Sequence, residues 1–532
     1  MLSQPSSSYP RHLLILLLLA FATHGLVLLN DGLYEDDWLV YTKLVQGNSD
    51  AIRTEWIDET GLPEAAYFHL LMGRLPWILL GYKFVTFTAV LTIATAAYLI
   101  ARRTEMVTPQ EALLIGVFTL IYPGNQTTVQ PITTPYFLFY TVFMVAAYFA
   151  VRFEDAKPAY PKRLLPLALF VFAFALNSLL VFFYGFLVLL ALYRRKLKAL
   201  PLRESITAFA VTHPEYLLLG PVYWLVKKSL FPTGRYNEFR VSMISAAQSV
   251  YVFFRDGLVG QAAYCAQQLA QHWFLSLVVL IAVLALFRMF QARSTPPNAE
   301  KRSVAELLLY GVILLGSAIF PYVAVGKAPA VHGYSTRHGL LLSIPFAIFM
   351  TAGYRFLRNR QSYRFARVAL LAMAISACVL ADWSAYINWQ VRAIKDNSII
   401  ANLERMQTGR DISIFWVDDR FPAGPTPGYK YYEWSSMFEL AWGNESHIGL
   451  DTYYYDPGFL LDMRKEFHTV NNLSTFNPEG TEADLTIVRG DDGAMSDIDL
   501  VGTYMYNRFF DRPAFERFLT SFTTVEIKPR SH

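Results

Sequence analysis

The stretch Arg11–Trp38, RHLLILLLLAFATHGLVLLNDGLYEDDW, joins a long apolar run to three consecutive carboxylates, Glu35, Asp36 and Asp37. The run at 11–29 approaches the roughly 20 residues that a helix needs to cross a bilayer. Carboxylates are costly beside hydrocarbon, and neighbouring like charges repel. A chain that keeps three of them at a membrane boundary needs a use for them, and the rest of the sequence narrows what that use is.

Ala20-Phe-Ala22 resembles a signal-peptide cleavage site, but apolar character resumes through Gly25–Leu29, so 11–29 reads as an uncleaved first span. Apolar runs follow at 83–101, 111–123, 134–151, 164–176, 177–193, 212–230, 270–288, 304–325, 336–354 and 366–386. Asn177-Ser178 is the expected turn of the 164–193 hairpin. The expected fold is an α-helical polytopic membrane protein with about 11 transmembrane helices. Loops 102–110, 152–163, 194–204, 288–303 and 355–367 hold 20 Lys/Arg against five acids, which makes them cytoplasmic by the positive-inside rule. Residues 31–64 carry nine acids and two bases, so the acidic triplet falls outside the cytoplasm. The segment 64–82, broken by Arg74, Pro76 and Gly81, is expected to lie along the outer interface.

Composition agrees. The 532 residues are 54% hydrophobic and 17% charged, below the roughly 25% charged of soluble domains, and the mean hydropathy is +0.30. A net charge of +4 is too small to argue for nucleic acid. Of the two cysteines, Cys265 is expected in a loop and Cys378 inside a hydrophobic run, so no disulfide is expected. CxxC, HExxH, GxxxxGK[ST] and GxGxxG patterns do not occur in the chain, which argues against structural zinc and a nucleotide-driven pump.

From about Asn388 charges become frequent. DISIFWVDD (411–419), ADLTIVRG (483–490), DIDLVGTY (497–504) and FTTVEIKP (522–529) read as strands, with helices at 434–442 and 512–521. The chain therefore divides into a membrane domain at 1–387, with 31–82 as its first outer loop, and an extracytoplasmic soluble α/β domain at 388–532.

A carboxylate beside an acceptor hydroxyl can take its proton as the oxygen attacks. A second carboxylate can orient the acceptor or hold a divalent cation against a phosphate leaving group, although no pattern in the sequence requires a metal. A first span followed by an outer loop bearing YEDDW (Tyr34–Trp38), about ten further spans and a C-terminal soluble domain resembles the GT-C superfamily of integral-membrane glycosyltransferases. The resemblance implies a polyprenyl-phosphate-linked sugar donor, with Asp36 or Asp37 as catalytic base and the other acid and Glu35 in support. The second outer loop, GNQTTVQPITTP (124–135), departs from that family. It lacks an acid where several branches place a further carboxylate or metal ligand.

A lipid-phosphate donor needs cations on the same side. Lys227, Lys228, Arg235 and Arg240 flank one outer helix end, and Lys327, Arg337 and His338 lie in GKAPAVHGYSTRHG. Arg337 suits bidentate contact with phosphate, and His338 stands beside it. The C-terminal aromatics Tyr431, Tyr432, Trp434 and Tyr453–Tyr455 are candidates for stacking on sugars. The expected activity is transfer of a hexose or pentose, with inversion, from a polyprenyl-phosphate sugar to a glycan, lipid or protein acceptor. The expected setting is the outer face of a bacterial inner (plasma) membrane. The rival reading is a glycolipid or polysaccharide transporter or flippase, which should place ionisable groups mid-membrane and show a repeated helical unit; the sequence shows few such charges and no repeat.

Overall fold

The computed structural model describes residues 9–154, 160–198, 201–231, 243–291, 303–358, 364–421, 423–425, 428–443, 446–451, 480–490 and 495–530. All eleven apolar runs lie on helices, the form in which a single segment satisfies its own backbone groups in hydrocarbon. After the first helix, the acidic loop leads into α1 (Asp37–Val45). A short helix, Pro63–Gly73, then precedes α2 (Ile78–Arg103), so that span begins earlier than residue 83.

Among the described residues, seven helices are long and apolar enough to cross a membrane: Tyr9–Leu29, Ile78–Arg103, Pro131–Glu154, Asn177–Arg195, Val304–Val323, Tyr334–Arg358 and Phe365–Arg405. Met243–Gln271 and Trp273–Ala285, bent by 103° where they meet, make an eighth if they count together. The expected number was about eleven. The difference lies in the helices Pro109–Leu120 and Tyr160–Ala173, whose 12 and 14 residues fall short of the roughly 17–25 that cross a bilayer, and in Pro214–Leu230, whose 17 residues stand at the lower edge of that range. Hydropathy registers an apolar run without registering where its helix stops. Asn177 begins a helix, and the turn of that hairpin is at 174–176.

The bundle packs through aromatic side chains such as Phe170 and Phe183, whose ring centroids are 4.7 Å apart. At the end of α2 that bears Arg103, an ion cluster ties three segments together. Glu111 and Thr108 form a reciprocal capping box. Arg355 donates to both oxygens of Glu111 at 3.0 and 2.9 Å, and Arg358 adds a contact at 3.4 Å.

The last span is the first part of α3 (Arg364–Arg405), 42 residues long and thus about 63 Å. The expected domain boundary at 387/388 falls inside this helix, whose far half carries Trp389, Arg392, Lys395 and Asp396 into the C-terminal α/β part of the chain. There a four-stranded sheet has the order β2-β1-β3-β4, made of β1 (Ile414–Asp419), β2 (Ile448–Asp451), β3 (Glu482–Arg489) and β4 (Thr523–Pro529). β2, β1 and β3 are parallel and β4 is antiparallel to β3. A parallel pair needs a crossover, and α4 (Tyr431–Trp442) supplies it between β1 and β2. Phe415, Trp434, Phe438, Leu485 and Ile487 bury together beneath it.

One strand expectation is overturned. DIDLVGTY lies in the helix Asp497–Phe510, with Ser496 accepting from the Asp499 amide as its N-cap. Its opening D-I-D-L alternation is too short to set a strand, whereas Leu500 and Tyr504, one helical turn apart, are the buried pair. β2 escaped notice because its four residues are all buried and show no alternation. Its Gly449 lies so close under Trp434 that any side chain there would collide with the indole.

Candidate active site

Asn30 shapes the acidic loop. Its Oδ1 accepts from the Gly32 amide at 3.2 Å and from Lys83 Nζ at 3.0 Å, while its Nδ2 donates to Tyr34 Oη at 2.8 Å and to Gln390 Oε1 at 3.0 Å. Lys83 also donates to the carbonyl of Val129. Tyr34 is fully buried and donates to the carbonyl of Trp389 at 2.8 Å. Asp31 accepts from Gln390 at 2.9 Å and from Tyr504, and pairs with Arg508 at 2.9 Å. The loop is thereby fastened to α2, α3 and the C-terminal helix Asp497–Phe510 before the triplet begins.

The three carboxylates then diverge. Glu35 takes a left-handed φ of +53°, a conformation costing a non-glycine residue about 1–2 kcal/mol. Asp37 is fully buried. Its Oδ2 accepts from the Tyr34 amide at 2.9 Å and its Oδ1 from the Ile132 amide at 2.6 Å. Burial pushes this carboxyl well above the usual range, against the opposing pull of Lys83 and the two amides. Asp36, the residue preceding α1, makes no capping bond to that helix, and its side chain remains 36% exposed. Its Oδ1 accepts from Tyr432 at 2.5 Å and its Oδ2 from Tyr334 at 2.8 Å.

Cations flank this carboxylate. Lys430 Nζ lies 3.0 Å from Glu35 and 3.7 Å from Asp36, and its side chain is 45% exposed. Burial opposes its charge, but Glu35 and Asp36 outweigh burial and raise its pKa. Burial and the Asp36 charge also push the Tyr432 phenol up, so Tyr432 remains a donor at neutral pH. The Arg337 guanidinium lies 3.3 Å above the Tyr334 ring and donates to that residue's carbonyl at 3.0 Å. Tyr334 thus touches Asp36 with its hydroxyl and Arg337 with its face. Lys327 is half-buried, and burial followed by the Arg337 charge lowers its pKa.

Of the residues singled out in the sequence, Glu35 and Asp36 share Lys430, and Arg337 joins them through Tyr334. Asp37 points into the protein. His338 meets the carbonyl of Ala328 at 3.1 Å and the ring of Tyr322. Arg235 and Arg240 lie outside the described residues, as do Tyr453–Tyr455. Lys227 donates to Asn177 at 2.9 Å and Lys228 sits over Trp224. Trp434 is fully buried against Tyr429. Tyr334, Lys430 and Glu433 were missed, and Tyr432 was noted only for stacking. A contact spanning 396 residues, as between Asp36 and Tyr432, leaves no local trace.

Among the described residues no group of three or more His, Cys, Asp or Glu is placed to hold a metal ion. Lys430 Nζ stands between the Glu35 and Asp36 carboxylates.

No protein-family model matches the chain, and no curated protein matches it in sequence. Among solved structures it is similar to a crystal structure of ArnT from Cupriavidus metallidurans bound to undecaprenyl phosphate, with 9% identity and a TM-score of 0.41. The match covers 92% of this chain and 94% of that one. So distant a likeness carries no argument about chemistry, and the functional reading rests on the site itself.

Proposed function

We propose that this chain is an integral-membrane glycosyltransferase of the GT-C kind, facing outward from a bacterial inner membrane. It moves a sugar from a polyprenyl-phosphate donor to a hydroxyl of a glycan, lipid or protein acceptor. One observation carries the reading: Asp36 is the outward member of the triplet, held by two phenols and flanked by Lys430 and Arg337. In this mechanism the acceptor hydroxyl gives its proton to Asp36 as its oxygen bonds to the anomeric carbon. The bond from that carbon to the phosphate oxygen breaks, and polyprenyl phosphate departs with the electron pair. Lys430, Arg337 and Lys327 offset the charge on the leaving phosphate, and a single displacement inverts the anomeric centre. Asp37 holds the loop through the Tyr34 and Ile132 amides rather than taking the proton.

The test is transfer of radiolabelled sugar from a panel of polyprenyl-phosphate donors by purified protein in lipid, with Asp36→Asn and Asp37→Asn alongside. Transfer should fall with Asp36→Asn while the protein stays folded, whereas Asp37→Asn should act mainly through stability. Unchanged transfer in Asp36→Asn would move the chemistry elsewhere. Without transfer from any donor, flux assays for a transporter come next.

A further inference from the structure

Glu433, in the first turn of α4, is buried, and its carboxylate gathers three donors. Oε2 accepts from the Lys430 amide at 2.8 Å, an ordinary local cap. Oε1 does something non-local: it accepts from the Glu35 amide at 3.1 Å and from Arg392 Nη2 at 2.9 Å. Arg392 is held in turn by the face of Tyr429 at 3.8 Å and by Asp396 at 3.7 Å. One oxygen thus joins the membrane loop, α3 and the C-terminal α/β part of the chain. For stability alone, a buried ion pair does no better than a well-packed apolar one. The bond to Glu35 is specific in another way. It holds the peptide that enters the left-handed turn, and the residue leaving that turn is Asp36.

We infer that Glu433 is a positioning residue for Asp36, aiming that carboxylate through the backbone of Glu35 while Arg392 holds Glu433 in place. The inference deepens the transferase reading and rests on it for its kinetic arm. Because Lys430 is the N-cap of α4 and Tyr432 stands in its first turn, the clamp also sets the distance between Asp36 and the two side chains that face it. A misplacement of about 1 Å at a reacting group can cost about a hundredfold in rate.

The experiment uses the full chain in lipid, with Glu433→Ala, Glu433→Gln and Arg392→Lys. Glutamine keeps an oxygen for Arg392 and Glu35 but turns an amide against the Lys430 N–H, so it should rescue in part. The expected result is a fall in kcat of about 10- to 100-fold for Glu433→Ala, with the donor KM within about twofold and a smaller fall for Glu433→Gln. Hydrogen exchange at the Glu35 amide, read without any substrate, should quicken in Glu433→Ala. Should that variant fail to fold, Glu433→Gln and Arg392→Lys carry the same two readouts. Unchanged exchange at Glu35, or quicker exchange with unchanged kcat in folded protein, overturns the inference. Quicker exchange in a protein that turns over no donor sustains the clamp and overturns only the transferase reading.

Discussion

Glu111 and Asp36 are tied to opposite ends of α2. Arg355, which grips Glu111, also donates to the carbonyl of Met106 just past the helix, and Lys83 near its start donates to Asn30 in the loop before Asp36. The 26 residues of α2 separate the two sites by roughly 39 Å. Glu111 is completely buried, with a capping box, a bidentate Arg355 and Arg358 around it. That site is closed, and its purpose is to join helix ends. Asp36 has two neutral donors, an ammonium beyond ordinary hydrogen-bond reach and an open side. Both ends bear charge, yet of these two carboxylates it is Asp36 that is accessible to a ligand.

Substitution should separate the two sites. Replacing Asp36 with Asn should lower transfer by about 10²–10⁴-fold, the usual contribution of a general base, with the melting temperature almost unmoved. Replacing Glu111 with Gln should do the reverse. It strands a buried guanidinium and costs about 3–5 kcal/mol, readable by denaturation in detergent, while the protein still folded turns over normally. Equal losses of activity in both variants would erase the contrast.

Smaller changes sharpen it. Tyr432→Phe removes one hydrogen bond to the Asp36 carboxylate, worth about 1.5–3 kcal/mol for a charged acceptor, and should lower kcat/KM by about 10- to 150-fold. A loss beyond that would put Tyr432 in the proton transfer itself. The smallest effect concerns pH. Burial, opposed by Arg392 and reinforced by the Glu35 charge, pushes the Glu433 carboxyl from 4.5 to about 7. Between those values the folded protein holds a proton that the unfolded chain releases, so this group's contribution makes stability fall as pH rises from about 5 to 7. Arg392 and Asp396 on α3, Glu35 and Asp36 on the loop, and Tyr429, Lys430 and Tyr432 on its own segment surround it. Melting temperatures of the parent and Glu433→Gln across that range should differ in slope, and parallel curves would refute the shift.

Much of the architecture was legible from short windows. The apolar runs lie on helices, and three of the four expected strands formed, because hydrophobic period acts over a few residues. The alternation in Asp497–Leu500 misled because four residues cannot outweigh the Ser496 cap and the packing of Leu500 and Tyr504. Glu35, Asp36 and Arg337 were readable as candidates by charge and loop position. Tyr334, Lys430 and Glu433 were not, and Tyr432 was readable only for stacking, since each meets Glu35 or Asp36 from hundreds of residues away in sequence.

Hydropathy and charge placement are properties of the chain itself, and they dictate which segments are apolar helices, the basic loops and an acidic segment at a helix end. They do not distinguish Asp36 from Asp37, which are adjacent and alike in sequence. Successive residues entering a helix point about 100° apart, and packing then decided between them. The Ile132 amide took Asp37 inward, while Tyr334 and Tyr432, arriving from distant segments, met Asp36 on the open side.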